Sequence, residues 1–333
     1  MSEPARDLPP LYHPPAMWAW DFWFAKEGDT YHAFYLQAPW ALGEMRLMHG
    51  NQHVGHASSQ DLIHWTDLGP ALVPIPDTWN DRSIATGSVA KHDGKWWMLF
   101  TGIGTKQCGL GLAVSDDLMT WKKVGRGPSG DGPVIPMGKP YDATWQGKPL
   151  QWFAIADPYL YPEPVDGWYY VVINSQVVGA PIAEAGCLAT MRSRDMKTWE
   201  PAAVLAYPGW VERLETPQIW HHGNRWYLYF GAAHDHGLAD KYKAAMPPEV
   251  VKQGIRVNCV LTSERFEGPY APTGKWWLTF PDGRGGYIAK VLTGPDGKEV
   301  LLTADGAKLS RPYPVSYAED GSVVLGLPAV PAP

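Results

Sequence analysis

The sequence predicts an all-β fold, a five-bladed β-propeller of four-stranded antiparallel blades, on three observations. A tight turn followed by an aromatic-rich strand recurs along the chain; a second hairpin, closing in Ser, a short acidic turn and Trp or Tyr, alternates with it; and 18 Trp, 16 Tyr, 35 Gly and 32 Pro in 333 residues suit short strands joined by turns. Two hairpins make one four-stranded sheet that cannot bury both of its faces alone, so five such units in series stack around an axis. A β-sandwich, the rival all-β fold, would not repeat the same two hairpins in fixed order.

The first pattern appears as GDTYHAFYLQ (28–37), HDGKWWMLFTG (92–102), VDGWYYVVIN (165–174), HGNRWYLYFGA (222–232) and, more weakly, PDGKEVLLTAD (295–305). Asp-Gly and Gly-Asn supply the positive φ of tight hairpins, and β-branched or aromatic residues follow as strands prefer. The second pattern appears as GHASSQDLIHW (55–65), GLAVSDDLMTW (111–121), ATMRSRDMKTW (189–199) and VLTSERFEGPY (260–270), so that Trp65, Trp121, Trp199 or Tyr270 opens the outermost strand. The blades then span approximately 16–70, 84–125, 150–205, 210–275 and 284–328. The fifth is the least regular, with its outer strands drawn from SRPYPVSYAEDGSVVLGL. One helix is expected between Lys241 and Gly254, where Pro offers a start and Gly an end. The stretch GPSGDGPVIPMG (127–138) is too short to border a further domain, so residues 1–333 read as one propeller domain.

A net charge of −6, without any basic run, excludes a nucleic-acid partner, and no segment is apolar enough to span a bilayer as a helix. The start MSEPARDLPP lacks the basic and apolar regions of a secretion signal, which makes a cytoplasmic location the expectation. Cys108, Cys187 and Cys259 have neither zinc-site nor disulfide-framework spacing and read as buried thiols. His49, His53, His56 and His64 lie across a loop and strand without carboxylates or Cys in register, so no metal and no cofactor is expected; oligomeric state is open.

The first strand of each blade lines the central channel. Reading back from each first turn gives WAWDFWF with Asp21, ATGSVAKH with Ser88, IADPYLYP with Asp157, LETPQIWHH with Glu215, and GYIAKVL with no acid. Three carboxylates thus fall at inner positions of blades one, three and four, among apolar residues where an unused charge would be costly. Asp61, Asp117 and Asp195 recur instead at the outer turns and read as turn residues. Glycoside cleavage needs a group that protonates the leaving oxygen and a second carboxylate that attacks the anomeric carbon or activates water, while a third can stabilise the oxocarbenium-like transition state. Asp21, Asp157 and Glu215 are therefore the candidate catalytic residues. Trp20 and Trp40, with Trp18 and Trp23, could form a sugar-stacking platform. Gln37, Asp81 and Ser88 are candidates for sugar contacts, and Arg213 for tuning Glu215 or meeting an anionic group.

With these residues placed, the chain resembles the clan of glycoside hydrolase family 32, the invertases, inulinases and levanases. WAWDFWF followed by YHAFYLQAPW, then GHASSQDLIHWTDLGPAL, GSVAKHDGKWWMLFTG, FAIADPYLY and LETPQIW occur in the order of that family's segments. The resemblance implies Asp21 as nucleophile, Asp157 as transition-state stabiliser and Glu215 as general acid/base of a retaining double displacement on a fructofuranoside. It also implies a small oligosaccharide or glycoside substrate. Departures are Trp20 and Phe22 flanking Asp21, Ala156 in place of the family's sugar-contacting Arg, and Thr216 in place of the Cys beside the acid. They leave open an inverting arabinofuranosidase or xylosidase of the family 43 type, with Asp21 activating water, and a non-catalytic carbohydrate-binding propeller.

Overall fold

The computed structural model describes residues 11–126, 132–137, 141–145, 148–152, 157–233, 239–245, 256–281 and 286–328. Blade one is β1 (Met17–Glu27), β2 (Thr30–Pro39), β3 (His53–Ser59) and β4 (Thr66–Leu72), paired in that order and antiparallel. Blade two is β5 (Ser83–His92), β6 (Lys95–Ile103), β7 (Cys108–Ser115) and β8 (Lys122–Val124), with β9 (Ile135–Pro136) adding to β7. Blade three holds β10 (Tyr141–Trp145), β11 (Lys148–Trp152), β12 (Tyr159–Leu160), β13 (Tyr169–Val177), β14 (Gly186–Ser193) and β15 (Glu200–Ala206). Blade four holds β16 (Arg213–His222), β17 (Arg225–Ala233) and β18 (Arg256–Ser263), and blade five β19 (Tyr287–Thr293), β20 (Glu299–Ala304), β21 (Tyr313–Tyr317) and β22 (Val323–Leu325).

The inner strands close a ring: β1 packs on β5, β5 on β12, β12 on β16, β16 on β19, and β19 on β1. The second strands carry the aromatic runs for a reason visible in their burial. β2 is buried from Tyr31 to Ala38 on both faces, because each blade is sandwiched between two others, whereas β4 at the rim is buried only at Leu72. The outer turns are built alike in three blades. Ser59, Ser115 and Ser193 accept through Oγ from the backbone N–H two residues on, and Asp61, Asp117 and Asp195 accept from the next N–H groups, leaving Leu62, Leu118 and Met196 at positive φ.

Several expectations need correction. Four strands per blade holds for blades one and five, the latter being regular after all, while blade four has three described strands. Where a fourth would run, Ala271 and Trp277 make isolated bridges to Thr262 and Cys259, interrupted by Pro272 and Gly274, since Pro cannot donate to a ladder. Blade three starts earlier than 150, with the hairpin β10–β11, and its inner strand is split: β11 and β12 pair with successive parts of β13. The helix is α1 (Asp240–Ala245), a turn and a half; the rest of the expected 241–254 segment up to Gly254 lies outside the described residues.

Candidate active site

Four of the five inner strands carry an irregularity at the same level, and in blade three the inner strand is split there. In β1 the register slips between Trp20 and Trp23, in β5 between Ala85 and Gly87, in β16 between Glu215 and Gln218, and in β19 between Tyr287 and Ala289. A bulge inserts an unpaired residue and re-aims side chains. Asp21 (φ 51°), Asp157 (φ 41°), Thr216 (φ 48°) and Ile288 (φ 69°) hold positive φ there, a conformation that costs a non-glycine residue on the order of 1–3 kcal/mol and clusters at functional sites.

The bulges set the blade-to-blade equivalence, and it differs from the one read in sequence. Asp21 precedes the turn residue Gly28 by the same seven positions that separate Thr86 from Asp93 and Thr216 from Gly223. Thr86, not Ser88, is therefore the blade-two counterpart of Asp21, and Thr216 is the blade-four counterpart. Glu215 stands one position earlier, level with Trp20, Ala85 and Tyr287.

Both levels open into one cavity, lined from all five blades: Trp20 and Asp21, Ala85 and Thr86, Asp157 with Asn174 from β13, Arg213 and Glu215, and Tyr287. Leu36, His49 and Gln52 complete the wall, with the His49 ring edge-on to Trp20 at 5.7 Å. The structure thus brings Asp21, Asp157 and Glu215 together with Trp20 and Arg213. Gly231 leaves room for the Tyr287 ring, which a Cβ would meet at 2.6 Å.

Hydrogen bonds hold the acids at defined angles. The Thr86 hydroxyl donates to Asp21 Oδ2. Asp157 Oδ2 accepts from Asn174 Nδ2 (3.2 Å) and from the Thr216 N–H (3.1 Å). Arg213 Nε lies 2.9 Å from Glu215 Oε1, with both side chains largely buried. Burial, then the charges of Glu215 and Asp21, push the Asp157 carboxyl well above the usual carboxylate range, against the lowering effect of the Thr216 N–H and the Thr86 hydroxyl.

Four candidates stand elsewhere. Ser88 accepts from the Leu160 N–H and lines a second cavity further along the inner strands. Gln37 is turned away to His53 Nε2, at 2.9 Å, and Gln52 takes its place in the wall. Asp81 accepts from the backbone N–H and hydroxyl of Thr105 and fixes that loop. Trp40 sits on a 3-10 turn, 43% exposed, beside the His13 ring. Trp23 lines the second cavity, not the platform. The histidines disperse: His49 to the cavity, His53 to Gln37, His56 to His32 and His64 to Asp61. Equal spacing from the turn was the signal for Thr86, whereas no local pattern marks Asn174, which reaches Asp157 only because the blade-three inner strand is split opposite it.

The chain matches the glycosyl hydrolases family 32 N-terminal domain over residues 13–210. It is 27% identical over 241 residues to a sucrose-6-phosphate hydrolase of Escherichia coli, a match covering 66% of this chain and 43% of that protein, so the chain spans under half the length of this curated relative. Among solved structures it superposes on a Bombyx mori GH32 beta-fructofuranosidase (TM-score 0.68, 20% identity, 95% of this chain and 64% of that one). It superposes equally on a thermostable family-43 glycoside hydrolase (TM-score 0.67, 14% identity, 98% and 97%). At such identities both likenesses speak for the fold alone, whereas the family 32 match covers more than half of the sequence and runs through two of the three acids. The chain belongs to glycosyl hydrolase family 32.

Proposed function

We propose that the protein hydrolyses, or transfers the sugar of, a fructofuranoside by retaining double displacement. The observation that carries this reading is the gathering of Asp21, Asp157 and Glu215, from three blades, in one cavity on the propeller axis. Asp21, oriented by Thr86, attacks the anomeric carbon and forms the glycosyl-enzyme. Glu215 protonates the departing oxygen and then takes a proton from the attacking water. Asp157, held by Asn174 and the Thr216 N–H, faces the oxocarbenium-like charge between them. Trp20 offers an apolar face to the sugar ring, and Arg213 offsets part of the cavity's negative charge. No cofactor is required, and the family relationship with a sucrose-6-phosphate hydrolase favours a small fructoside, phosphorylated or not.

The test is incubation with sucrose, sucrose 6-phosphate, short inulins and arabinan oligomers, with products followed by NMR and Asp21→Asn as control. Fructose first released as the β-anomer, and absent with the control, supports the reading. Arabinose release with inverted configuration replaces it with the family 43 chemistry. Ligand-dependent tryptophan fluorescence without turnover replaces it with a binding propeller.

A further inference from the structure

The second cavity is lined by the next residues of the same inner strands: Trp23, Ser88, Tyr159, Gln218 and Trp220 among them, and Lys290 from blade five. Lys290 is 7% exposed and belongs to β19, which like β5 carries no acid. Its Nζ donates to the carbonyl oxygens of Thr216 (2.7 Å) and Pro217 (2.9 Å) and lies 5.7 Å from the Tyr159 ring centre. The Thr216 N–H in turn donates to Asp157. A single residue, held at positive φ next to Glu215, thus links the ammonium to two of the three carboxylates.

We infer that Lys290 is a positioning residue for the glycosidase site, a buried cation on the channel side of the acids that fixes the blade-four bulge and keeps Asp21 and Asp157 ionisable. This rests on the proposed function above. Two features separate such a role from packing. A methylene chain alone would fill the space, yet the ammonium is kept, at the desolvation cost of a buried charge. Its bonds go to the main chain on either side of the bulge peptide, where a shift would move the Glu215 carboxylate and the Thr216 donor together. The groups that face it are Asp21 from β1, Asp157 and Tyr159 from blade three and the Thr216 and Pro217 carbonyls from β16, while β5 contributes the uncharged Ser88. Burial pushes the ammonium down to about 7, against the raising effect of Asp157 and Asp21, so it is charged throughout the acidic range in which a carboxylate nucleophile ionises.

The experiment is the pH profile of kcat/KM on the best substrate for wild type, Lys290→Met and Lys290→Arg, with folding checked by thermal melts. Loss of the cation raises the carboxylates it offsets, so the acidic limb of Lys290→Met is expected to move up by about one pH unit. Its kcat is expected to fall at least about tenfold while KM moves less, and Lys290→Arg is expected to keep the wild-type limb. A folded Lys290→Met with the wild-type limb and kcat overturns the inference, as does a limb displaced equally in both variants. If Lys290→Met fails to fold, or if the wild type cleaves nothing, the wild-type protein decides by 13C NMR: a lysine Cε resonance that is in its charged state where the Asp157 carboxyl carbon titrates, and that shifts with that titration, supports the placement. A Cε already in its neutral state where Asp157 titrates, or one indifferent to that titration, overturns it. Absence of turnover alone counts against the proposed function, not against the placement of Lys290.

Discussion

Two sets of aspartates in this chain occupy opposite ends of the blades and opposite electrostatic environments. At the outer turns Asp61 accepts from the Ser59 hydroxyl, from the Ile63 and His64 N–H groups and from the His64 ring, which together outweigh burial and bring it down to about 2. Backbone N–H groups lower Asp117, and against some burial they lower Asp195 as well. At the inner bulges Asp157 has two donors on one oxygen, is buried, and faces two further carboxylates, so it moves up. An acid that serves the turn is surrounded by donors and open to water; an acid gathered with others in a cavity is held where ionisation is opposed. The same residue type in the same repeat thus separates into structure and chemistry by its neighbours.

The largest way to sharpen that comparison is to remove an inner acid's chemistry while leaving its shape. Asp21→Asn is expected to lower kcat/KM by at least about 10⁴-fold on every substrate, because no other group in the cavity can form the covalent bond. Glu215→Gln is expected to lose about 10²–10⁴-fold on substrates with poor leaving groups and far less on activated aryl glycosides, which need no proton. Steady-state kinetics on a leaving-group series reads both. A uniform loss in Glu215→Gln would remove its acid/base role.

A finer break concerns the level of the site along the inner strands. Thr86→Val, which removes the hydroxyl donor to Asp21, is expected to cost about tenfold in kcat/KM, the size of a hydrogen bond to a charged group. Ser88→Ala, two residues on and facing the second cavity, is expected to stay within about twofold. The reverse ranking, measured on the same substrate, would return the site to the level read from the sequence.

That two-residue discrepancy shows what was legible and why the rest was not. The hairpin repeat, the five blades and the acids at 21, 157 and 215 follow from turn residues and aromatic runs, because every blade must solve the same burial problem. The bulges are invisible to a two-residue periodicity, since one extra residue flips which side chain faces the axis. Glu215 enters the cavity by a different register from Asp21, Thr86 rather than Ser88 stands level with Asp21, and Gln52 rather than Gln37 lines the wall. Trp40 and Asp81 stand on connecting segments that carry them to His13 and Thr105 instead of the cavity. Lys290 stands in GYIAKVL, and nothing local in that segment marks its contact with the blade-four bulge, which only the fold brings beside it.

The smallest effect tests the electrostatic contrast itself, through stability. Asp61 titrates lower folded than its ordinary 3.8, so its ionised form stabilises the fold above that value, and the gain is lost as pH falls from 3.8 toward about 2. A shift of that size corresponds to about 2 kcal/mol at most, discounted to about 1 kcal/mol because the side chain is 44% exposed. Asp61→Asn is therefore expected to lower the melting temperature at pH 7 by about 2 °C, and by less at pH 3. Asp157 has the opposite sign. Its folded value lies above the unfolded one, so the folded chain holds the proton longer and loses stability as pH rises from about 4 toward that folded value. Asp157→Asn is expected to melt higher than wild type at pH 7, with the advantage fading toward pH 4. Melting curves of both variants across that interval must diverge in sign at neutral pH; if the two shift the same way, Asp157 is not held against its ionisation and the contrast between the ends of the blade collapses.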